Sequence, residues 1–408
     1  MTTIAVLATL DTKGEEVGYL KERIETLGAE ALLVDIGVIG EPRVAPDVTR
    51  EAVADAGGTP LAKLLESPTR QEASQVMTAG ATVVLKRLVE SGEIQGVIGL
   101  GGTQGTPNCT GAMQALPYGL PKIMVSTVAS GDTSGFVGIK DVTMMFSVSD
   151  ILGLNPLTRK ILANAAGAAV GMARSGVELD TRTDGKPLIG MTNLGVLTEG
   201  ATLAIDLFRD AGYEVIVFHA VGSGGRAMEQ LMKEGVIGAV FDYSLGEIAD
   251  DVHQGLRAGG PERLTVAGQL GLPQVICPGG AEHIGLLLDT PNVVPERFQN
   301  HKHVFHNPVI FAPRLNPEEL TEVAREVGQR LKTTTGPTCL LLPLQGTSRY
   351  GIPSGPLHDP AGDRAFFDAL REHVPDTVEV VEIDAEAEDP AFVAAAVQRL
   401  LAMVEASA

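Results

Sequence analysis

Along this chain, short runs of consecutive apolar residues alternate with longer segments in which apolar positions return every three or four residues. TIAVLAT (3–9), AEALLVDIG (29–37), VIGLGG (97–102) and KIMVSTV (122–128) are runs of the first kind, rich in Val, Ile and Leu. A strand reads this way when both of its faces are buried, as in a parallel sheet between two helix layers. GEEVGYLKERIETLG (14–28) is of the second kind, with apolar residues at 17, 20, 24 and 27 and a stop at Gly28. SQVMTAGATVVLKRLVESG (74–92) repeats the pattern and ends at Gly92. The alternation predicts right-handed βαβ crossovers and a parallel sheet.

After Leu179 the pattern lapses into DTRTDGKP (180–187), which reads as a linker, and then restarts. PLIGMTN (187–193), EVIVFHA (214–220), GAVFDYS (238–244), PQVICPG (273–279), TCLLLPLQG (338–346) and TVEVVEI (377–383) read as strands. GATLAIDLFRDAGY (200–213), GGRAMEQLMKEG (224–235) and DRAFFDALREHV (363–374) read as helices. The expectation is an α/β fold of two Rossmann-like, doubly wound domains with mainly parallel sheets, residues 1–179 and 187–408, meeting at a cleft. The length of 408 residues, above the comfortable size of one core, agrees.

Composition narrows the partners. A formal net charge of -20 argues against a nucleic-acid or anionic-membrane surface, since both demand a basic patch. Cys109, Cys277 and Cys339 stand far apart without CxxC or Cys/His zinc spacing, which suits reduced thiols in a cytoplasmic setting. The start, MTTIAVLATLDTKGEE, lacks a basic leader and cleavage pattern and reads as a first strand. No run approaches the roughly 18 apolar residues of a membrane span.

The candidate chemistry sits where strands end. TLDTKGEE places Asp11, Thr12 and Lys13 beyond the first strand, either on a binding edge or capping the next helix. GLGGTQGT (99–106) follows a buried run with four glycines, more than a plain turn needs, and bares backbone N–H groups as an anion site does. It is neither GxGxxG nor a Walker A sequence. STVASGDTSGFVGIKD (126–141) follows a further strand with Ser130, Gly131, Asp132 and Thr133. Three such loops on one sheet edge predict a polar, backbone-rich pocket for phosphates or a carboxylate.

In the second half, VIVFHAVGSGGRAMEQL puts His219 at a strand end before an anion-accepting type of turn, with Arg226 as charge partner. A hydrogen-bonded structural histidine is the plainer alternative for His219. QNHKHVFHNP carries His301, His303 and His306, and CPGGAEHIG carries Glu282 and His283. No spacing rule supports a metal there, and none is assigned. No GxSxG elbow occurs.

Taken together and in order, TLDTKGEE, GLGGTQGT, STVASGDTSGFVGIKDVTMMFSVSDILGLN, FHAVGSGGRAMEQL, GLPQVICPGG and HNP resemble the UPF0261 or Tm-1-like ATP-binding protein family over nearly the whole chain. That family includes the N-terminal region of a plant protein that inhibits tomato mosaic virus replication by binding its replication protein. The resemblance implies two Rossmann-like subdomains, ATP held by the N-terminal glycine-rich loops, and a homodimer. Carried over motif by motif, the nucleotide contacts are Asp11, Thr12, Lys13, Gly101, Gly102, Thr103, Gly105, Thr106, Ser130, Gly131, Asp132 and Thr133. Magnesium accompanying ATP would answer to Asp11 and Asp132. Relatives fused to, or encoded beside, a TIM-barrel protein imply a separate barrel partner. DYSLGEIAD (242–250), GGAEHIGLLLD and VIFAPRLN depart from the family pattern, so no shared substrate is carried over.

Two functions follow. One is an ATP-binding module whose nucleotide stabilises a dimer competent to engage a partner. The other is a cytoplasmic enzyme for a small carboxylate or phosphorylated metabolite, with catalytic His219, Arg226, Glu282 and His306 on the C-terminal side of the cleft.

Overall fold

The computed structural model describes residues 1–407, apart from 67, 68, 178, 180, 181, 184 and 289–292. The chain divides into two compact units, Met1–Leu179 and Asp180–Ala408. In unit 1, strands β1 (Thr3–Ala8), β2 (Glu30–Asp35), β3 (Gly96–Gly101), β4 (Lys122–Ser126) and β5 (Thr143–Phe146) pair in parallel in the order β2-β1-β3-β4-β5. Side chains alternate between two cores, as doubly buried strands require. Ala5, Leu7 and Val97 join Met77, Leu85 and Met113 on one face, while Ile4, Val6 and Ile98 join Leu20, Ile24 and Leu162 on the other. The winding direction reverses between β1 and β3, and in such sheets ligands bind beyond the carboxyl ends at that reversal.

Unit 2 contains β6 (Arg182–Thr183), β7 (Lys186–Asn193), β8 (Val215–His219), β9 (Ile237–Ser244), β10 (Gln274–Gly279), β11 (Leu286–Leu287), β12 (His303–Phe305), β13 (Ile310–Pro313), β14 (Thr338–Pro343) and β15 (Glu379–Ile383). Its main sheet runs β15-β14-β10-β9-β7-β6, with β8 also paired to β7. All pairs are parallel except the β6–β7 hairpin. Leaving that hairpin aside, the reversal again falls between the first and third long strands, β7 and β9. The small antiparallel sheet β11-β13-β12 is an addition that the strand-and-helix rhythm does not announce.

Several helices also escape the sequence pattern. Pro156–Ala173 and Pro317–Leu331 each follow an Asn that forms a capping box, with Pro at the start. Pro390–Ser407 is, among the described residues, the helix long and apolar enough by composition to cross a membrane. In the fold it lays Phe392, Val393, Ala396, Val397 and Leu400 into a unit 2 core. The first helix spans Leu10–Thr26 and begins four residues earlier than its apolar period indicates, so Asp11, Thr12 and Lys13 occupy its first turn.

The interior of unit 2 encloses a charged network. Arg263 has no exposed surface and lies among three carboxylates. Its Nη2 donates to Asp242 Oδ1 at 2.6 Å, its Nε to Glu247 Oε2 at 2.7 Å, and its Nη1 stands 3.5 Å from Glu229 Oε1. Glu229 also accepts from Leu264 N–H at 2.6 Å and Val266 N–H at 3.2 Å. Burial pushes the Glu229 carboxyl up to about 7, against the pull of Arg263 and those N–H groups. The network ties β9 to the helices Ser223–Lys233 and Gly246–His253.

Two stability predictions follow from this network. Arg263→Met leaves Asp242 and Glu247 buried without their cation, and urea denaturation should show a loss of about 3–5 kcal/mol. The folded Glu229 keeps its proton up to about 7, whereas the unfolded one releases it near 4.5, so the folded state binds more protons in between. Stability from this group is therefore complete below pH 4.5 and declines as pH rises toward 7, by up to about 3 kcal/mol. Glu229→Gln, fixed in the neutral form, should flatten that decline in melts taken across the same range.

Candidate functional site

At the reversal in unit 1 lies an open pocket of about 480 Å³. Asp11, Thr12 and Lys13 line it from the first helix turn, and Gly101, Gly102 and Gly105 line it from the end of β3 to the start of the helix Gly105–Met113. Ile36, Val38 and Met77 supply an apolar wall. Gln104, Ser74 and Asn108 supply a linked polar edge, in which Gln104 donates to Ser74 Oγ at 3.1 Å and the Ser74 hydroxyl to Asn108. The sequence reading missed Ser74, Gln104, Asn108, Thr69 and Arg70, although the T-x-x-E box at 69–72, which caps the helix Arg70–Glu90 beside the pocket, was visible.

The helix N-termini at this pocket differ, that of Arg70–Glu90 being closed by its own Thr69–Glu72 capping box. At the first helix, Asp35 Oδ1 accepts from Leu10 N–H at 3.0 Å and Gly37 N–H at 2.8 Å, and Asp11 accepts from Thr12 N–H at 2.8 Å and Gly40 N–H at 3.1 Å. The protein's own carboxylates therefore occupy that end, and Asp11 fastens the loop after β2. Lys13 Nζ donates to the carbonyl of Ile151. The helix Gly105–Met113, in contrast, has no side-chain cap at Gln104 and no acidic residue in its first turn.

The glycines of this loop separate into two kinds. A Cβ at Gly99 would stand 2.6 Å from Met124 Sδ, and one at Gly101 would stand 2.7 Å from Gly105 Cα, so close packing alone demands glycine there. At Gly102 a Cβ would meet only Thr127 Oγ1 at 3.5 Å, and at Gly105 only Leu100 O at 3.7 Å. Neither position has a positive φ. Packing and backbone conformation both admit a side chain at these two positions.

Other expected nucleotide contacts lie elsewhere. Thr106 is fully buried with its hydroxyl 2.7 Å from Ser126 Oγ, and Thr103, though exposed, does not line the pocket. Ser130, Gly131, Asp132 and Thr133 also fall outside the lining. Asp132 Oδ1 accepts from Ser134 N–H at 2.9 Å, a bond that lowers its pKa and fixes it as the cap of a turn.

Unit 2 has its own cavity, of about 310 Å³, beyond the carboxyl ends of β7, β8 and β10. His219 and His306 line it, joined by His283, Arg257 and Tyr350. Arg226 and Glu282 do not. Arg226 turns its Nε to Gly222 O at 3.1 Å, and the expected anion-accepting turn beside it is already filled. Glu247 Oε1 accepts from Gly222 N–H at 2.6 Å and Gly225 N–H at 3.0 Å. A Cβ at Gly225 would fall 2.0 Å from Glu247 Oε2, so this glycine serves an internal carboxylate.

Glu282 stands behind the cavity, with no exposed surface. The β10–β9 register slips between Ile276 and Gly279, and Gly280 takes φ +67, which turns the chain into the interior at this point. Glu282 Oε1 lies 3.1 Å from His283 Nδ1, and the carboxylate accepts from Thr347 Oγ1 at 2.7 Å and from Ser348. Burial alone would raise this carboxyl, but His283, Ser348 and Arg314 together hold it down at about 2. The remaining histidines disperse: His301 Nε2 meets Glu319 at 3.0 Å and His303 packs on Phe311. Among the described residues no group of three or more His, Cys, Asp or Glu gathers as a metal site would require.

Family models match both units: the uncharacterised protein family (UPF0261) N-terminal domain over residues 2–178 and its C-terminal domain over 186–404. A UPF0261 protein of Clostridium tetani is 40% identical over 98% of this chain and 99% of its own length. UPF0261 protein RA0729 of Rhizobium meliloti is 37% identical over 97% of this chain and 98% of its own. The ToMV resistance protein Tm-1(GCR237) of Solanum lycopersicum is 33% identical over 70% of this chain, which corresponds to 38% of that longer protein. With both halves matched and full-length relatives at this identity, the chain belongs to the UPF0261 family.

Proposed function

We propose that unit 1 binds ATP, with the phosphates against the N-terminus of the helix Gly105–Met113 and the base along Ile36, Val38 and Met77. The observation that carries this reading is the pair Gly102 and Gly105, glycines that neither packing nor φ requires, both facing the pocket. A ligand that must approach the backbone closely accounts for them. The volume of about 480 Å³ lies within the roughly 300–1,000 Å³ of small-molecule sites. Lys13 and Arg70 are its cationic lining groups. The bound nucleotide stabilises a homodimer able to engage a second protein. A relative named for resistance to a virus, rather than for a reaction, favours this binding role.

Calorimetry with ATP tests the site through Gly102→Val. Because a Cβ there has room, the variant should fold with an unchanged melting temperature and bind ATP at least tenfold more weakly, about 1.4 kcal/mol. Unchanged affinity in the folded variant would overturn the assignment. Magnesium should strengthen ATP binding through Asp11, which lines the pocket, and Asp132→Asn should leave affinity unaltered with or without magnesium. Light scattering should register more dimer when ATP is added to the parent protein.

A further inference from the structure

We propose that unit 2 carries a general acid–base site, centred on the His283 imidazole, for a small carboxylate with a carbonyl beside a hydrogen-bearing carbon. The arrangement around His283 defines its proton inventory. Glu282, a carboxylate, only accepts, so His283 Nδ1 carries the hydrogen across their 3.1 Å contact. The other nitrogen, Nε2, lies 3.5 Å from Arg257 Nη1, which only donates, and therefore presents a lone pair. Glu282 cannot turn away, because Thr347 and Ser348 hold both of its oxygens. An imidazole fixed in one tautomer by a buried carboxylate, on a residue that lines the cavity and whose second nitrogen faces only a donor, is the geometry of an oriented base.

The cavity selects the ligand. Among the described residues no Asp or Glu lines it, and its polar groups are Arg257, Tyr350 and three imidazoles, a set dominated by donors. Arg257 commits Nε and Nη2 to Asp250 at 3.0 and 2.6 Å and leaves Nη1 at His283. Leu194, Val196, Val221, Leu256, Ile310 and Ala312 form apolar walls. A small anion rich in acceptors, with a short apolar body, suits this lining. The volume of about 310 Å³ sits at the lower bound for small-molecule sites.

In the step we assign, His283 Nε2 takes a proton from the carbon next to the carbonyl. The C–H pair becomes the enol double bond, and the carbonyl π pair moves to oxygen, where Tyr350 O–H donates. Tyr350 Oη lies 3.3 Å from His306 Nδ1, and its ring centre 5.7 Å from that of His283. Return of a solvent-derived proton from His283 to carbon restores the acid, so no other reactant is consumed.

Hydrogen–deuterium exchange in D2O tests this with pyruvate and 2-oxobutyrate as probes, following the C3 protons by NMR. The parent protein should exchange one of these acids saturably, about 10²-fold or more above buffer. His283→Gln should return the rate to buffer level. Tyr350→Phe, at a half-buried position, should keep the parent melting temperature and lose at least tenfold. Glu282 acts as a positioning residue: Glu282→Gln should lower kcat with KM nearly unchanged and displace the pH profile. The charged and titratable groups around His283 in that profile are Glu282, Tyr350 and Arg257 with its partner Asp250, with His219 and His306 across the cavity and Arg314 behind Glu282. Exchange at the buffer rate for both acids, or exchange that survives in a folded His283→Gln protein, would overturn the proposal. Exchange should proceed at the same rate with and without ATP, which separates this site from ATP binding in unit 1.

Discussion

A parallel sheet buried on both faces leaves polar chemistry almost nowhere to go but the ends of its strands. In both units the strand side chains are divided between two apolar layers, and backbone groups inside the sheet are consumed by the ladder. Binding groups therefore collect beyond the carboxyl ends. Both pockets lie there, one in each unit, and each is assembled from loops that are remote in sequence.

Where carboxylates do enter the interior, the protein compensates them with its own charges and N–H groups. Glu247 fills the N-terminus of Ser223–Lys233 and is held in turn by Arg263. Asp35 and Asp11 fill the N-terminus of Leu10–Thr26. Each of these ends attracts an anion, as helix dipoles do, and the anion is covalently part of the chain. The helix Gly105–Met113 lacks such an internal partner in its first turn. That difference decides which glycine-rich turn is open to a ligand, and a count of glycines cannot reveal it.

The sequence was legible where one physical rule dominates. Doubly buried strands produce apolar runs, and β1, β3, β7, β8 and β10 lie within one residue of the runs that announced them. The helix Pro156–Ala173 was hidden because small residues such as Ala163, Gly167 and Ala168 also stand outside its buried stripe, blurring the period, although its Asn-Pro cap was plain to see. In the loop after β3, Gly101 and Gly102 look alike in sequence. Only the 2.7 Å approach to Gly105 separates the packing glycine from the one left free. His219 and His306 were singled out and do reach one cavity, whereas Arg257 and Tyr350 come from loops with no motif. Glu282 was assigned to the reacting face, but the turn at Gly280 sends it inward and leaves His283 at the cavity.

A Glu282 carboxyl held at about 2 in the fold, against about 4.5 when unfolded, contributes stability above pH 4.5 that is lost as pH falls toward 2. A carboxylate with no exposed surface carries a desolvation cost that its hydrogen bonds must offset, and apolar residues of similar volume generally serve a core at least as well. Glu282 nevertheless sits at about 2, so it remains charged throughout the range in which an imidazole exchanges its proton. A neutral amide at 282 would satisfy Thr347 and Ser348 but would carry no charge to balance an imidazolium. What the carboxylate adds over the amide is a fixed negative charge 3.1 Å from His283 Nδ1, which balances the ring when it gains a proton at Nε2. The buried charge thus serves the fold above pH 4.5 and, at 3.1 Å from His283 Nδ1, also stands where it would balance an imidazolium formed when the ring takes a proton from the cavity.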